Sequence, residues 1–300
     1  MLTVFGDPTL DHIYELKDPV VRGGKMLGLY TEEVPGGTTA NVACAAARFA
    51  LPSRVVGRVA AGGEAQLHRE SYTAFGVDTD RLVEVETARG THAIIAVDDD
   101  GEKTLIYAPM DAAPISQTIV SEAISETRYA YVMAADFQTI SAYAGEAQAT
   151  ICVDVDAAAG LTLEQFERLR RETDILFIND IGFRKLTGNE PDQDGMRSLI
   201  GPRTEIVCCT GGGNITYMAT RRDGALTSFS RAALQADVVD TTGAGDCFNA
   251  GFLAELSRGQ WPEAALDFAM AAGALATETR GARAAVPDLG AVRNRLAGAS

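Results

Sequence analysis

Four things are scarce or missing in this chain of 300 residues: positive charge, paired cysteines, long apolar runs and a lysine-bearing phosphate loop. Lys and Arg number 26 against 41 Asp and Glu, for a formal charge of -15. Such a surface repels phosphate backbones and anionic lipid, so neither nucleic acid nor a membrane is an expected partner. The five cysteines, Cys44, Cys152, Cys208, Cys209 and Cys247, show no C-x-x-C spacing. That leaves a zinc site without support and makes buried reduced thiols the expectation. No apolar run reaches about 18 residues, and "MLTVFGDPTLD" carries acidic residues where a targeting segment would be basic. A soluble, cytoplasmic protein is expected. No G-x-x-x-x-G-K-[ST] occurs, which excludes a P-loop. Nor is there a linker, a repeat or a low-complexity segment, so one domain over residues 1–300 is expected.

What is present is ample apolar material, 46% of residues, arranged as strands alternating with helices. "LTVFG", "YAYVMAAD", "ATICVDVD", "DILFIND" and "TEIVCCTG" are short apolar runs bounded by Asp, Asn or Gly. "LTLEQFERLRRETD" reads as a helix, with Thr162 and Gln165 at capping-box spacing and Leu163, Phe166 and Leu169 on one face. The alternation predicts an α/β fold with a mostly parallel sheet covered by helices. Two early stretches, about 13–34 and 91–108, each read instead as two strands around a polar turn. They predict a small β-sheet projecting from the main body.

The stretch "VVDTTGAGDCFNAGF" places Gly243, Ala244 and Gly245 just ahead of a helix, with Asp246 at its start. Bare backbone N–H groups and the positive end of the helix form an anion hole in prospect. An aspartate beside it is placed to accept the proton of a hydroxyl attacking a phosphoryl group. The plainer alternative is a strand-to-helix turn with an acidic residue in its first turn.

"DTTGAGDCF", Asp240 to Phe248, resembles the C-terminal signature of the ribokinase-like, or PfkB, carbohydrate kinases. "GGTTANVA" resembles the family's N-terminal sugar-site segment, and "FGDPTLD", "GVDTD", "KLTG" and "TETRGARAAVP" follow in the family's order. The resemblance runs from about Gly6 to Pro287. It implies a ribokinase-like fold with a central sheet and a β lid, and ATP-dependent phosphorylation of a hydroxymethyl group of a sugar or sugar acid. It further implies Asp246 as general base, the Gly243–Asp246 backbone as anion hole, and Asp11, Gly36, Gly37 and Asn41 as the sugar site. An exposed turn carboxylate is the plain alternative for Asp11, and a helix start capped by Thr38 or Thr39 for the glycine stretch. The nucleotide would meet Asn179, Thr210, Gly211, Gly213 and Met270, and Asn214, where the family commonly has Gly, would keep the turn through left-handed geometry. Asp240, Thr241 and Gly281 resemble the positions of a monovalent cation such as K⁺. Closing the lid would exclude water, and its exposed sheet would bury against a second subunit in a homodimer.

Departures from the family pattern are equally specific. Its N-x-x-E motif, whose glutamate organises Mg²⁺ and phosphates, appears as "NDIG", with Gly182 at the glutamate position. Asp180, Asp154 or Asp156 would then substitute. In "GRVAAGGEAQ", Ala60 and Gly62 stand where a G-x-D-x-x-G pattern has its Gly and Asp. Thr38 replaces the lysine of ribokinase itself, which argues against ribose, and Met270 replaces an asparagine near the adenine. Two further readings stay open: a sugar-binding or regulatory descendant without turnover, and a nucleoside kinase.

Overall fold

The computed structural model of the chain describes every residue except 88, 100, 102, 146, 157–159 and 299–300. Its first half runs β1 (Leu2–Phe5), β2 (Thr9–Leu16), β3 (Gly28–Gly36), α1 (Thr38–Arg48), β4 (Ser53–Ala60), α2 (Gly63–Thr73), β5 (Asp78–Val85), β6 (His92–Val97), β7 (Lys103–Ala108), α3 (Gln117–Ser125), β8 (Tyr129–Met133), α4 (Gln138–Ala144) and β9 (Thr150–Asp154). The second runs α5 (Leu163–Glu172), β10 (Ile175–Asn179), α6 (Asp180–Thr187), α7 (Gln193–Leu199), β11 (Ile206–Thr210), β12 (Ile215–Arg222), β13 (Ala225–Ala232), α8 (Ala244–Ser257), α9 (Pro262–Ala276) and α10 (Leu289–Gly298).

A nine-stranded sheet has the order β13-β12-β11-β10-β9-β8-β1-β4-β5. All its strands run in one direction except β12, which is antiparallel to both β11 and β13 and forms a hairpin with β13 at one edge. That hairpin turns on Asp223 and Gly224, both with positive φ, the arrangement an Asp-Gly loop favours. The five apolar runs become β1, β8, β9, β10 and β11, and each is buried on both faces. Tyr131, Cys152, Phe177 and Cys208 face one core layer, while Val132, Val153, Leu176 and Cys209 face the other. A strand with two covered faces has no polar side, which is why these runs are continuous and not alternating. Truncating Phe177, 2% exposed, to Ala would cost about 3–5 kcal/mol. All five cysteines are free and buried.

The two strand-rich stretches form a separate four-stranded sheet, order β3-β2-β6-β7. It starts at Thr9, earlier than the expected 13, because Asp11 already pairs with Val34 and Ala93. Other expectations need correction. Helix α5 has its capping box, with Gln165 N–H on Thr162 Oγ1 at 3.2 Å. Leu163, however, is 57% exposed, since three-residue steps drift around a helix of 3.6 residues per turn. Neither Thr38 nor Thr39 caps α1; Gly37, at φ 99°, takes the cap position without a side-chain bond. "VVD" is not a strand: Val238 and Val239 are 63% and 58% exposed, and the N–H groups of Val239 and Asp240 both donate to Thr277 O. No helix among the described residues is long and apolar enough to cross a membrane.

Candidate active site

Strand order reverses at β1, from which the chain builds outward through β4 and β5 on one side and β8 and β9 on the other. Open α/β sheets bind ligands outside the carboxyl ends of strands at such a point. Here a cavity of about 370 Å³ opens there. Asp154, Asn179 and Thr210, at or near the ends of β9, β10 and β11, form its floor, and Ala93, Ile95, Leu105 and Tyr107 of the small sheet form its roof. The small sheet is therefore a lid.

Helix α8 aims its first turn into this cavity. Gly243, at φ 76°, precedes it, and a Cβ there would lie 2.8 Å from Ala282 Cα, so only glycine fits. A Cβ on Gly245 would meet nothing; its bareness leaves room for whatever approaches the backbone. Ala244 N–H is spent on Thr241 O at 3.2 Å, and the helical ladder begins with Cys247 N–H on Gly243 O. The N–H groups of Gly245 and Asp246 thus precede that ladder and belong to the unpaired first turn.

Asp246 lines the cavity and accepts a hydrogen bond from Asn41 Nδ2 at 2.8 Å. Burial pushes its carboxyl up to about 7; Asn41 opposes the rise, Asp154 and Asp156 add to it, and Arg283 opposes it. A carboxylate titrating there is matched to a base working near neutrality. Asn41 is itself held, its Oδ1 accepting from Arg283 Nε at 3.1 Å, while Arg283 Nη2 donates to Gly36 O at 2.9 Å. Arg283, 9% exposed, joins Asn41, the partner of Asp246, to the glycine turn at Gly36. Arg283 lies within "RGAR", where a lone arginine in a glycine-rich turn carries no spacing signal in the sequence.

Behind Asp246, Asn249 Nδ2 and Tyr131 OH donate to Asp154 Oδ2 at 2.8 and 2.7 Å. Burial raises the Asp154 carboxyl to about 6. The edge-on contact of Phe177 in β10 with Phe252 anchors the same helix on the sheet, and Phe248, one turn earlier in α8, stacks on Phe252. On the lid side, Asp11 lies within β2 and not in a turn, lines the cavity, and accepts from Thr9 Oγ1 at 2.6 Å. Burial raises its pKa, with Thr9 and Arg283 working against the rise. A Cβ on Gly36 would fall 2.0 Å from Asp11 Oδ2, so the glycine is what lets this carboxylate stand there.

The profile of the pfkB family carbohydrate kinases matches residues 2–289. The chain belongs to that family. It is 29% identical over 256 residues to an ATP-dependent ribose-1-phosphate kinase of Halopiger xanaduensis, covering 83% of this chain and 82% of the relative. With the ribokinase of Bacillus subtilis it shares 28% over 304 residues, covering 98% and 99%. Arabidopsis thaliana ribokinase, solved with ribose and ATP, superposes with a TM-score of 0.78 over 98% of both chains at 22% identity. The fold is ribokinase-like, and the chain is a sugar or nucleoside kinase.

In this PfkB kinase the remaining positions divide. Asn179 and Thr210 line the cavity. Gly211 is required, since a Cβ would lie 2.3 Å from Ile215 O, whereas Gly213 stands in open space. The left-handed residue of that turn is Gly212, φ 58°, and not Asn214, so the exchange at 214 needs no tolerance of special geometry. Met270 is 9% exposed in the core beside α8 and does not line the cavity. Asp180 is bound by Arg184 at 2.9 Å and also stays outside the lining, but Asp156 is within it. Asp156 Oδ1 accepts from Asn179 Nδ2 at 2.8 Å, and Asn179 Oδ1 caps α6 at Gly182 N–H. A Cβ on Gly182 would sit 2.1 Å from Asp156 O. The backbone of Asp156, at φ 47°, occupies the space a side chain at 182 would need. Asp240 and Gly281 do meet, Gly281 N–H donating to Asp240 Oδ2 at 2.9 Å, but a lysine of the lid is there too.

Proposed function

We propose that this chain transfers the γ-phosphoryl group of Mg-ATP to a hydroxymethyl group of a sugar or sugar acid. The hydroxyl oxygen attacks the γ-phosphorus, the bond to the β,γ-bridging oxygen breaks, ADP leaves, and the hydroxyl proton passes to Asp246. The backbone from Gly243 to Asp246 faces the charge on the migrating group. Asp11, with Gly36 and Gly37, takes up sugar hydroxyls, while Asn41 orients the base as well as lining the sugar side. The observation that carries this reading is one carboxylate, Asp246, set in the first turn of α8 inside the lidded cavity and held by Asn41 at 2.8 Å.

Magnesium would neutralise charge on the ATP phosphates. The residues fit it modestly: Asp156 offers a cavity-lining carboxylate, Asn179 fixes that carboxylate, and a metal held mainly by phosphates and water needs little more. The main body and its lid act as one kinase unit, and the outer lid face, where exposed Ile94 and Ile106 pair across strands, suits a second copy of the chain. The alternative, a binder without turnover, draws on the missing side chain at Gly182. ADP release measured across a panel of sugars, sugar acids and nucleosides separates the readings. Turnover with a sugar or sugar acid is expected; sugar-dependent thermal stabilisation without ADP release would establish the binder, and turnover only with nucleosides would move the substrate class.

A further inference from the structure

Lys103 sits on β7, the edge strand of the lid, and its Nζ lies 2.7 Å from Asp240 Oδ1. It also contacts Thr242 Oγ1, which in turn donates to the same Asp240 oxygen at 2.6 Å. Thr242 N–H reaches Oδ1 at 3.0 Å and Gly281 N–H reaches Oδ2 at 2.9 Å. Both carboxylate oxygens are therefore occupied, and among the described residues the single positive charge among their partners is the lysine ammonium. The hydrogen bonds from Lys103 and Thr242 hold the Asp240 carboxyl well below the usual carboxylate range. The pair is mostly withdrawn from solvent, at 31% and 19% side-chain exposure, and Thr242 and Gly243 beside it line the cavity.

We infer that the Lys103 ammonium takes the place of a monovalent cation at Asp240, so that this kinase carries its own cation on its lid. An ammonium group and a potassium ion have the same charge and similar size, and they compete for the same oxygens. With the lid down, a K⁺ ion does not fit at Oδ1. The tether adds a property that a free ion lacks: the charge arrives beside the anion hole only when the lid closes, and the ion pair holds the closed lid to the loop of Thr241 and Thr242. Full order at the anion hole and lid closure become one event.

The inference rests on the kinase reading for its rate measurement and not for its structural one. Hydrogen exchange of the ligand-free protein in tetramethylammonium chloride should show the amides of 103–108 exchanging at least about tenfold faster in Lys103→Met than in wild type. Equal exchange overturns the tether whether or not the protein is a kinase. Initial rates at constant ionic strength should change less than about twofold in wild type as KCl replaces tetramethylammonium chloride. Lys103→Met should lose about tenfold or more without K⁺ and regain most of it at 100 mM KCl, a rescue that Asp240→Asn should not show. Wild type stimulated severalfold by K⁺ overturns the replacement, as does a Lys103→Met variant that is fully active without K⁺. Loss without rescue overturns it too, because Lys103 would then be acting on the substrate. If wild type turns over no substrate in any salt, the kinase reading fails and the exchange result alone decides the tether.

Discussion

Replacing Asp246 by Asn should cripple the enzyme and stabilise the fold. The carboxyl is raised from an ordinary 3.8 to about 7 by burial and by its acidic neighbours. Because the folded value exceeds the unfolded one, the associated stabilisation is complete below about pH 4 and is lost as pH rises through about 7. At about 1.4 kcal/mol per pH unit, the full cost of holding the charge in the native state approaches ~4 kcal/mol above pH 7. An amide never carries that charge. Asn41 then loses an ionic acceptor, which takes back ~1–2 kcal/mol. A net gain of ~2 kcal/mol corresponds to a rise in Tm of roughly 4 °C for a chain of this size. The difference should be near zero at pH 4, grow to pH 7 and stay flat beyond. Calorimetry of both proteins from pH 4 to 8.5 measures it, and ADP release measures the second effect, a loss of about 10² or more in turnover with little change in sugar affinity. In wild type, kcat/KM should rise about tenfold per pH unit below about 7 and level off above it. An Asn variant less stable than wild type at every pH, or one keeping more than a tenth of wild-type turnover, would refute the reasoning.

Other outcomes follow from the same geometry. Asp11→Ala should weaken sugar binding at least about tenfold in a calorimetric titration, the loss of a hydrogen bond to a charged group, with ATP affinity unchanged; equal loss for both ligands would remove Asp11 from the sugar site. Asp156→Asn should raise the Mg²⁺ concentration giving half-maximal rate, whereas Asp180→Asn, its carboxylate being bound by Arg184, should not; the opposite pattern would reassign the metal contact. Gly182→Glu should lower stability by ~2 kcal/mol or more and not raise activity, because the added Cβ overlaps Asp156 O; a stable, faster variant would show that the strand end yields easily. Ile106→Lys should leave the cavity intact, its neighbours Leu105 and Tyr107 being the residues that line it, and halve the mass seen by sedimentation; a wild type that is already monomeric at all concentrations removes the dimer.

Legibility from sequence differed sharply between parts. The central strands β1, β8, β9, β10 and β11 could be read because two buried faces leave an unbroken apolar run, and α5 because its cap is local. Strands β12 and β13 went unread although Asp223-Gly224 marks their turn, and β4 was obscured by Arg54, Gly57 and Arg58 within it. The proposed base and anion hole were legible because Gly243, Gly245 and Asp246 lie within four residues of each other. Arg283 and Lys103 were not, because each acts across a great length of chain, 242 residues to Asn41 and 137 to Asp240, and a lone cation has no spacing to betray it. Asn214 shows the converse: left-handed geometry was expected at that position, and Gly212 takes it instead.

The collision between position 182 and the Asp156 carbonyl also bears on history. A glycine there is more than an absent carboxylate, because the main chain of Asp156, just past the end of β9, fills the space a side chain at 182 would need, with its backbone at φ 47° and its own carboxylate on Asn179. Reversal by one step is blocked, since a side chain returned to 182 meets main chain, which cannot swing aside as a rotamer can. The order of changes then matters: a path back to glutamate has to relax the 154–156 turn first, and at that stage the intermediate would have neither carboxylate in place. The substitution is entrenched by geometry, and directed evolution for magnesium affinity should find its gains at 156 and 179 before it finds any at 182.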